Sequence, residues 1–99
     1  MYEQELRQMQ RAAKAGKVRF VPHAVRELAL DHLSPDDAVN CILTGEIVRD
    51  QYDPKYQQMK YVIYGDSLSH DEIAVVARWD DDSKVVVITV FRLRVGNYE

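Results

Sequence analysis

The sequence predicts an α+β domain in which N-terminal helices pack on a mainly antiparallel, four-stranded sheet. Three observations lead there. The hydrophobic period is largely helical up to Gly45 and becomes extended after it. Turn residues at Asp53-Pro54 and across "DDDS" divide the C-terminal half into strand-length runs. The 99 residues, 46% hydrophobic and 29% charged, suffice for one globular core and leave no room for a second.

Residues 2–15 read as the first helix. Leu6, Met9, Ala13 and Gln10 form a narrow stripe, and Gly16 stops the helix. A stripe that thin needs another element for support. "KVRFV" then reads as a short strand, placed at an edge of the sheet if it joins at all. Pro22 closes it, because proline lacks the N–H a ladder needs but suits the first turn of a helix. Residues 23–33 form the second helix, with Val25, Leu28, Ala29 and His32 on one side and His23, Arg26, Glu27 and Leu30 on the other. "SPDDAVNCILTG" is the clearest helix. Ser34 caps it, Pro35 takes the first position, and Asp36 and Asp37 complement the positive end of the dipole. Ala38, Val39, Ile42 and Leu43 make its buried stripe, Cys41 lies at the margin, and Gly45 is expected to end it in a left-handed conformation.

"EIVRDQY" and "MKYVIYG" read as strands, followed by "EIAVVARW" and "KVVVITVF" as a hairpin with an acidic tip. The last two runs are apolar on both faces, which predicts the centre of the sheet with helices over at least one side.

Charge is uneven. Residues 2–30 carry six basic side chains against three acidic ones, whereas the whole chain has a net charge of −3. That total argues against broad, non-specific nucleic-acid binding yet permits a basic face. No apolar stretch has the roughly 20 residues of a membrane span. The charged start "MYEQELRQMQRAAKAGK" does not read as a secretory signal. A single cysteine, Cys41, fits a reducing cytoplasm.

Between Val18 and Arg92 the motifs "PHA" (Pro22 to Ala24), "LSPDDAV", "TGEIV", "YVIYG", "IAVVARW" and "VVVITVF" follow one another in an order that resembles the bacterial domain-of-unknown-function family 4258. That family looks similar to the RelE/ParE-type toxins of the barnase–EndoU–colicin–RelE fold. The resemblance implies one RelE-like domain over 1–99, with 1–16 as an added helix and 17–99 as the family core. It further implies a toxin-like, metal-independent RNA endonuclease of a type II toxin–antitoxin module, with RNA as substrate and no cofactor. Its partner would be a protein antitoxin, often zinc-binding with a DNA-binding half.

Such cleavage turns a ribose 2′-hydroxyl against the adjacent phosphate. It needs a base, a cation for the phosphorane and an acid for the leaving oxygen. Histidine suits proton transfer near neutrality and arginine suits phosphate. His23, at a helix start, is the candidate base or acid, and Arg26 one turn later is the candidate phosphate ligand. The plainer alternatives are a helix-start hydrogen bond for His23 and a salt bridge, to Asp31 or the sheet, for Arg26. Lys60, Arg78 and Arg92 lie within strands and either hold substrate or face solvent. Tyr52, Tyr61 and Tyr64, Tyr61 foremost, either stack on bases or pack half-buried. Thr89 interrupts an apolar strand and is expected to bond His23, an arrangement that would be structural.

Asp80-Asp81-Asp82 lacks the spacing of a calcium loop and reads as a solvated tip, and the three histidines are too scattered for zinc, so no metal is expected. A second reading of the whole chain is a non-catalytic module that uses the same sheet to bind a protein or to dimerise. Convergence of His23, Arg26, Lys60, Arg78 and Arg92 on one face would favour the nuclease, and scatter the module.

Overall fold

The computed structural model describes residues 1–93. The elements are α1 (Glu3–Lys14), β1 (Val18–Phe20), α2 (Pro22–Leu30), α3 (Pro35–Thr44), β2 (Glu46–Asp53), β3 (Gln58–Asp66), β4 (Glu72–Trp79) and β5 (Val85–Arg92). The class is α+β. The sheet, however, has five strands rather than four, in the order β1-β5-β4-β3-β2. β2 to β5 form an antiparallel meander, with β4 at the centre. β1 joins at the edge, parallel to β5, from Val18 opposite Val85 to Phe20 opposite Val87. Three residues give no period to read, so the mixed character of the sheet comes from tertiary pairing alone.

Alternation along the strands separates two faces. One carries Ile63, Ile73, Val75, Ala77, Val85, Val87 and Val90, all buried in a core shared with Met9, Leu28 and Ile42 from the three helices. The narrow stripe of α1 finds its support on α3, where Gln10 donates to the last carbonyls, those of Ile42 and Leu43, at 3.2 Å each. The Gln10 amide thus serves acceptors that a helix C-terminus leaves open.

Both α1 and α2 end in Schellman turns. In α1, Lys17 N–H donates to Ala12 C=O and Gly16 N–H to Ala13 C=O, with Gly16 at φ 74°. In α2 the same pair of bonds runs from Leu33 to Leu28 and from His32 to Ala29, with His32 in the glycine position at φ 56°. This turn ends α2 three residues before Leu33, the end its periodicity predicts. The buried side of α2 is Ala24 and Leu28 rather than the expected stripe through Val25, Ala29 and His32, and Val25 is 50% exposed.

α3 has the Ser34 cap its sequence announces, and Asp37 completes it as a capping box. Ser34 Oγ accepts from Asp37 N–H, and Asp37 accepts from Ser34 N–H at 2.8 Å. Cys41, expected at the margin, is fully buried. Gly45 is extended, at φ −101° and ψ −169°, not left-handed. Its reason is space. A Cβ on Gly45 would run into the Tyr64 carbonyl, and one on Gly65 into the Cys41 carbonyl. The two glycines let α3 rest on the backbone of β3.

Candidate functional site

The second sheet face is covered by no helix among the described residues. Its strand register sets cations side by side. Arg19 on β1 and Arg78 on β4 both stand opposite Val86 of β5. Lys60 lies one residue beyond the Tyr61–Ala77 pair, beside Arg78, and stands opposite Gln51 of β2. A bulge at Val48 brings Arg49 onto the same face, opposite Val62. Between these long side chains the short Val62, Ala74 and Val86 are no more than 1% exposed. Val76, Ile88 and Phe91 are half-buried around them.

The cations are partly engaged. Arg19 Nε donates to Asp80 at 3.0 Å, the Arg78 guanidinium lies 4.9 Å from the centre of the Tyr56 ring, and Lys60 Nζ is 3.9 Å from Asp53. Arg19, Arg78 and Tyr56 line one shallow hollow with Gln57, Gln58 and Asp80. Asp80 also accepts from Lys84 N–H and Asp82 N–H, both at 2.9 Å. These bonds, the one from Lys84 first, then Arg19 and Asp82, hold its carboxyl below the usual range. The acidic tip is thus an ordered turn built on Asp80, with Asp81 and Asp82 exposed.

His23 and Glu27 form a pair at the edge of this face. His23 Nε2 is 3.2 Å from Glu27 Oε2, and Glu27 Oε1 accepts from Val90 N–H at 2.9 Å. The second contact answers a need of the fold. β1 ends opposite Val87, so beyond it β5 has no strand neighbour on that side, and a carboxylate supplies the acceptor. The neighbours of Val90, Thr89 and Phe91, alternate onto the uncovered face, opposite Val76 and Ala74. The pair therefore stands about 13 Å along β5 from the Arg19–Arg78 row, at roughly 3.3 Å per residue.

The remaining candidates lie elsewhere. Thr89 does not hydrogen-bond His23; Glu27, one helical turn away, takes that place. Arg26 is exposed on the side of α2 turned away from Ala24 and Leu28, and makes no ion pair among the described residues. Arg92 is on the helix-bearing face. Its Nε and Nη2 donate to the Asp31 carbonyl at 3.3 and 2.8 Å, and its Nη1 to Asp71 at 2.9 Å. This position locks the C-terminus of α2 and is structural. Tyr61 is on the helix face too, packed against the core. Burial foremost, then the charges of Glu5 and Asp50, raise its phenol above the usual range. Of the five residues expected to converge, the sheet gathers Lys60 and Arg78, with His23 at its margin. Arg19 and Arg49 join them; the sequence hides both, because edge pairing and a bulge decide which way they face. Among the described residues no group of histidine, cysteine and carboxylates has metal-site geometry.

Fold and site define a small α+β domain of one-sided type: a sheet backed by helices on one face, with a cation-bearing second face. The chain belongs to the family described as Domain of unknown function (DUF4258), whose model matches residues 20–92. No curated protein and no solved structure matches it. No described helix is long and apolar enough to cross a membrane.

Proposed function

We propose that this chain is a RelE-like, metal-independent RNA endonuclease of a toxin–antitoxin module, and that RNA lies along the uncovered sheet face. The observation that carries the reading is the alignment of Arg19, Arg78 and Lys60 across that face, with the His23–Glu27 pair at its edge. Backbone phosphates meet the cations, which neutralise charge without reading sequence. Tyr64, 36% exposed on the same face, offers a stacking surface. His23 takes the 2′-hydroxyl proton as base, or gives a proton to the leaving oxygen as acid. The 2′-oxygen attacks phosphorus, the bond to the 5′-oxygen breaks, and the products are a 2′,3′-cyclic phosphate and a 5′-hydroxyl. Glu27 is a positioning residue that fixes the imidazole against β5. A protein antitoxin would cover the same face.

The test is incubation of the purified chain with single-stranded RNA in a chelator, with product ends identified by mass spectrometry. Cleavage to cyclic-phosphate ends, lost in His23→Ala and weakened in a Lys60→Ala/Arg78→Ala double variant, is expected. Intact RNA with soluble wild-type protein overturns the enzyme.

A second reading, the non-catalytic module, has its own support, since Arg26 and Arg92 lie off this face and His23 stands about 13 Å from the cation row. The middle of the uncovered face is apolar, through Val76, Ile88 and Phe91, and the total charge is negative. Both suit a protein partner or a second copy. Binding to neither RNA nor its fragments, with a concentration-dependent rise in mass, would favour it.

A further inference from the structure

The helix-bearing face holds a groove that the RNA reading does not use. It lies between α1 and the hairpin end of the sheet and has a volume of about 690 Å³. α1, which forms one wall, precedes the part of the chain that the family model matches. Ala12 and Ala15 give that wall a smooth apolar stretch, and Tyr61 and Trp79 form the opposite wall.

The charged side chains that α1 and the residues after it bring to the groove are sorted by sign, while Asp80, whose carboxylate is held by Arg19, and Ser83 also line its hairpin end. Glu5 is at one end, where its carboxylate accepts from the Trp79 indole N–H. Arg11 and Lys17 are at the other, and among the described residues neither side chain makes an ion pair or hydrogen bond. Glu5 and Arg11 are six residues apart on one helix, about 9 Å at 1.5 Å per residue. Gln8 lies between them. Tyr61, half-buried, brings a hydroxyl with no hydrogen bond among the described residues.

An occupant must therefore be flat enough to lie between an alanine wall and two aromatic rings. It must carry an anion for Arg11 and Lys17 and a donor for Glu5. We propose that this groove binds a nucleoside monophosphate whose base bears an exocyclic amine. The phosphate meets Arg11 and Lys17, the base lies against Trp79 and Tyr61, and the amine donates to Glu5. A pyrimidine with a carbonyl in that position would set oxygen against the carboxylate and is disfavoured.

Trp79 is the only tryptophan of the chain, so its emission reads the groove directly. Titration of the full chain with AMP or CMP is expected to change that emission saturably, with UMP at least about tenfold weaker. Adenosine and inorganic phosphate alone should be weaker still. Arg11→Ala should raise the AMP dissociation constant about tenfold, the scale of one lost charge-assisted hydrogen bond. Glu5→Gln should erase the preference for AMP over UMP. Lys60→Ala/Arg78→Ala, on the other sheet face, should leave AMP binding unchanged, which separates this groove from the RNA surface. An unresponsive Trp79, equal affinity for adenosine or phosphate alone, or wild-type affinity in Arg11→Ala overturns the proposal.

Discussion

Gly65 shows how little room a single residue position can have. Its Cα faces the carbonyl of Cys41, and any side chain there must push α3 off β3. Gly65→Ala is expected to destabilise the chain by about 3 kcal/mol, the upper part of the range for overpacking, because backbone cannot rotate away. A urea denaturation midpoint checks this. His32 presents the opposite case. It holds φ 56°, where a Cβ is unfavourable, in a turn that glycine fills without strain. His32→Gly should stabilise by about 0.5–1 kcal/mol, read as a raised melting temperature. Asp37 sets a pH dependence. Ser34 N–H first, then Leu68 N–H and the Ser34 hydroxyl, hold its carboxyl below the ordinary range. A depressed acid contributes stability that is complete above its unfolded value, about 3.9, and is lost as pH falls through its lower folded value. Melting temperature should therefore drop on acidification below about pH 4, and Asp37→Asn should show a shallower drop.

Elements built from local signals were legible; those decided by contact between distant segments were not. Ser34, Pro35 and Asp37 announce α3 because cap, first turn and carboxylate all lie within four residues. The β4–β5 hairpin was equally plain from its apolar runs and its tip. By contrast, the end of α2 depends on a histidine accepting a left-handed backbone, which nothing at His32 advertises. The role of Gly45 depends on Tyr64, nineteen positions later, and β1 depends on β5 at the far end of the chain. The site divided in the same way. His23 and its position at a helix start were readable, but its partner was expected on a strand and proved to be Glu27 on its own helix. Arg92 read as a substrate ligand, since sequence does not say that the open C-terminus of α2 lies above it. Glu27 serves both the imidazole and the Val90 N–H, so Glu27→Gln, which can still accept from Val90, should retain stability within about 1 kcal/mol. Glu27→Ala, which leaves that N–H without an acceptor, should cost about 1–3 kcal/mol. Chemical denaturation of the two variants separates the roles.

At the scale of the whole molecule, the parallel pairing of β1 with β5 closes the fold, joining residues 18–20 to residues 85–87. The antiparallel strands between them are linked by short turns and can pair without it. Closing so long a loop is entropically costly until those strands are in place, which puts β1 docking late. Phe20, half-buried against the core, tests the order. Phe20→Ala should lose about 2 kcal/mol, mostly as faster unfolding with a nearly unchanged folding rate. Stopped-flow chevron plots would show this, and a matched slowing of folding would place β1 in the nucleus instead. The two sheet faces also differ in electrostatics. If RNA binds through the uncovered face, its affinity must fall steeply with salt, and the slope must lessen when Lys60 and Arg78 are removed.

The thiol of Cys41 touches no solvent, and burial pushes it up to about 12. It rests between the carbonyls of Ile63 and Ile73, at 3.7 and 3.6 Å, beneath the seam where α3 meets the sheet. An alkylating reagent can reach it only after that seam parts. The chain thus carries an internal clock: the rate at which its one sulfhydryl is labelled under native conditions counts openings of the helix–sheet contact, with no probe to be introduced.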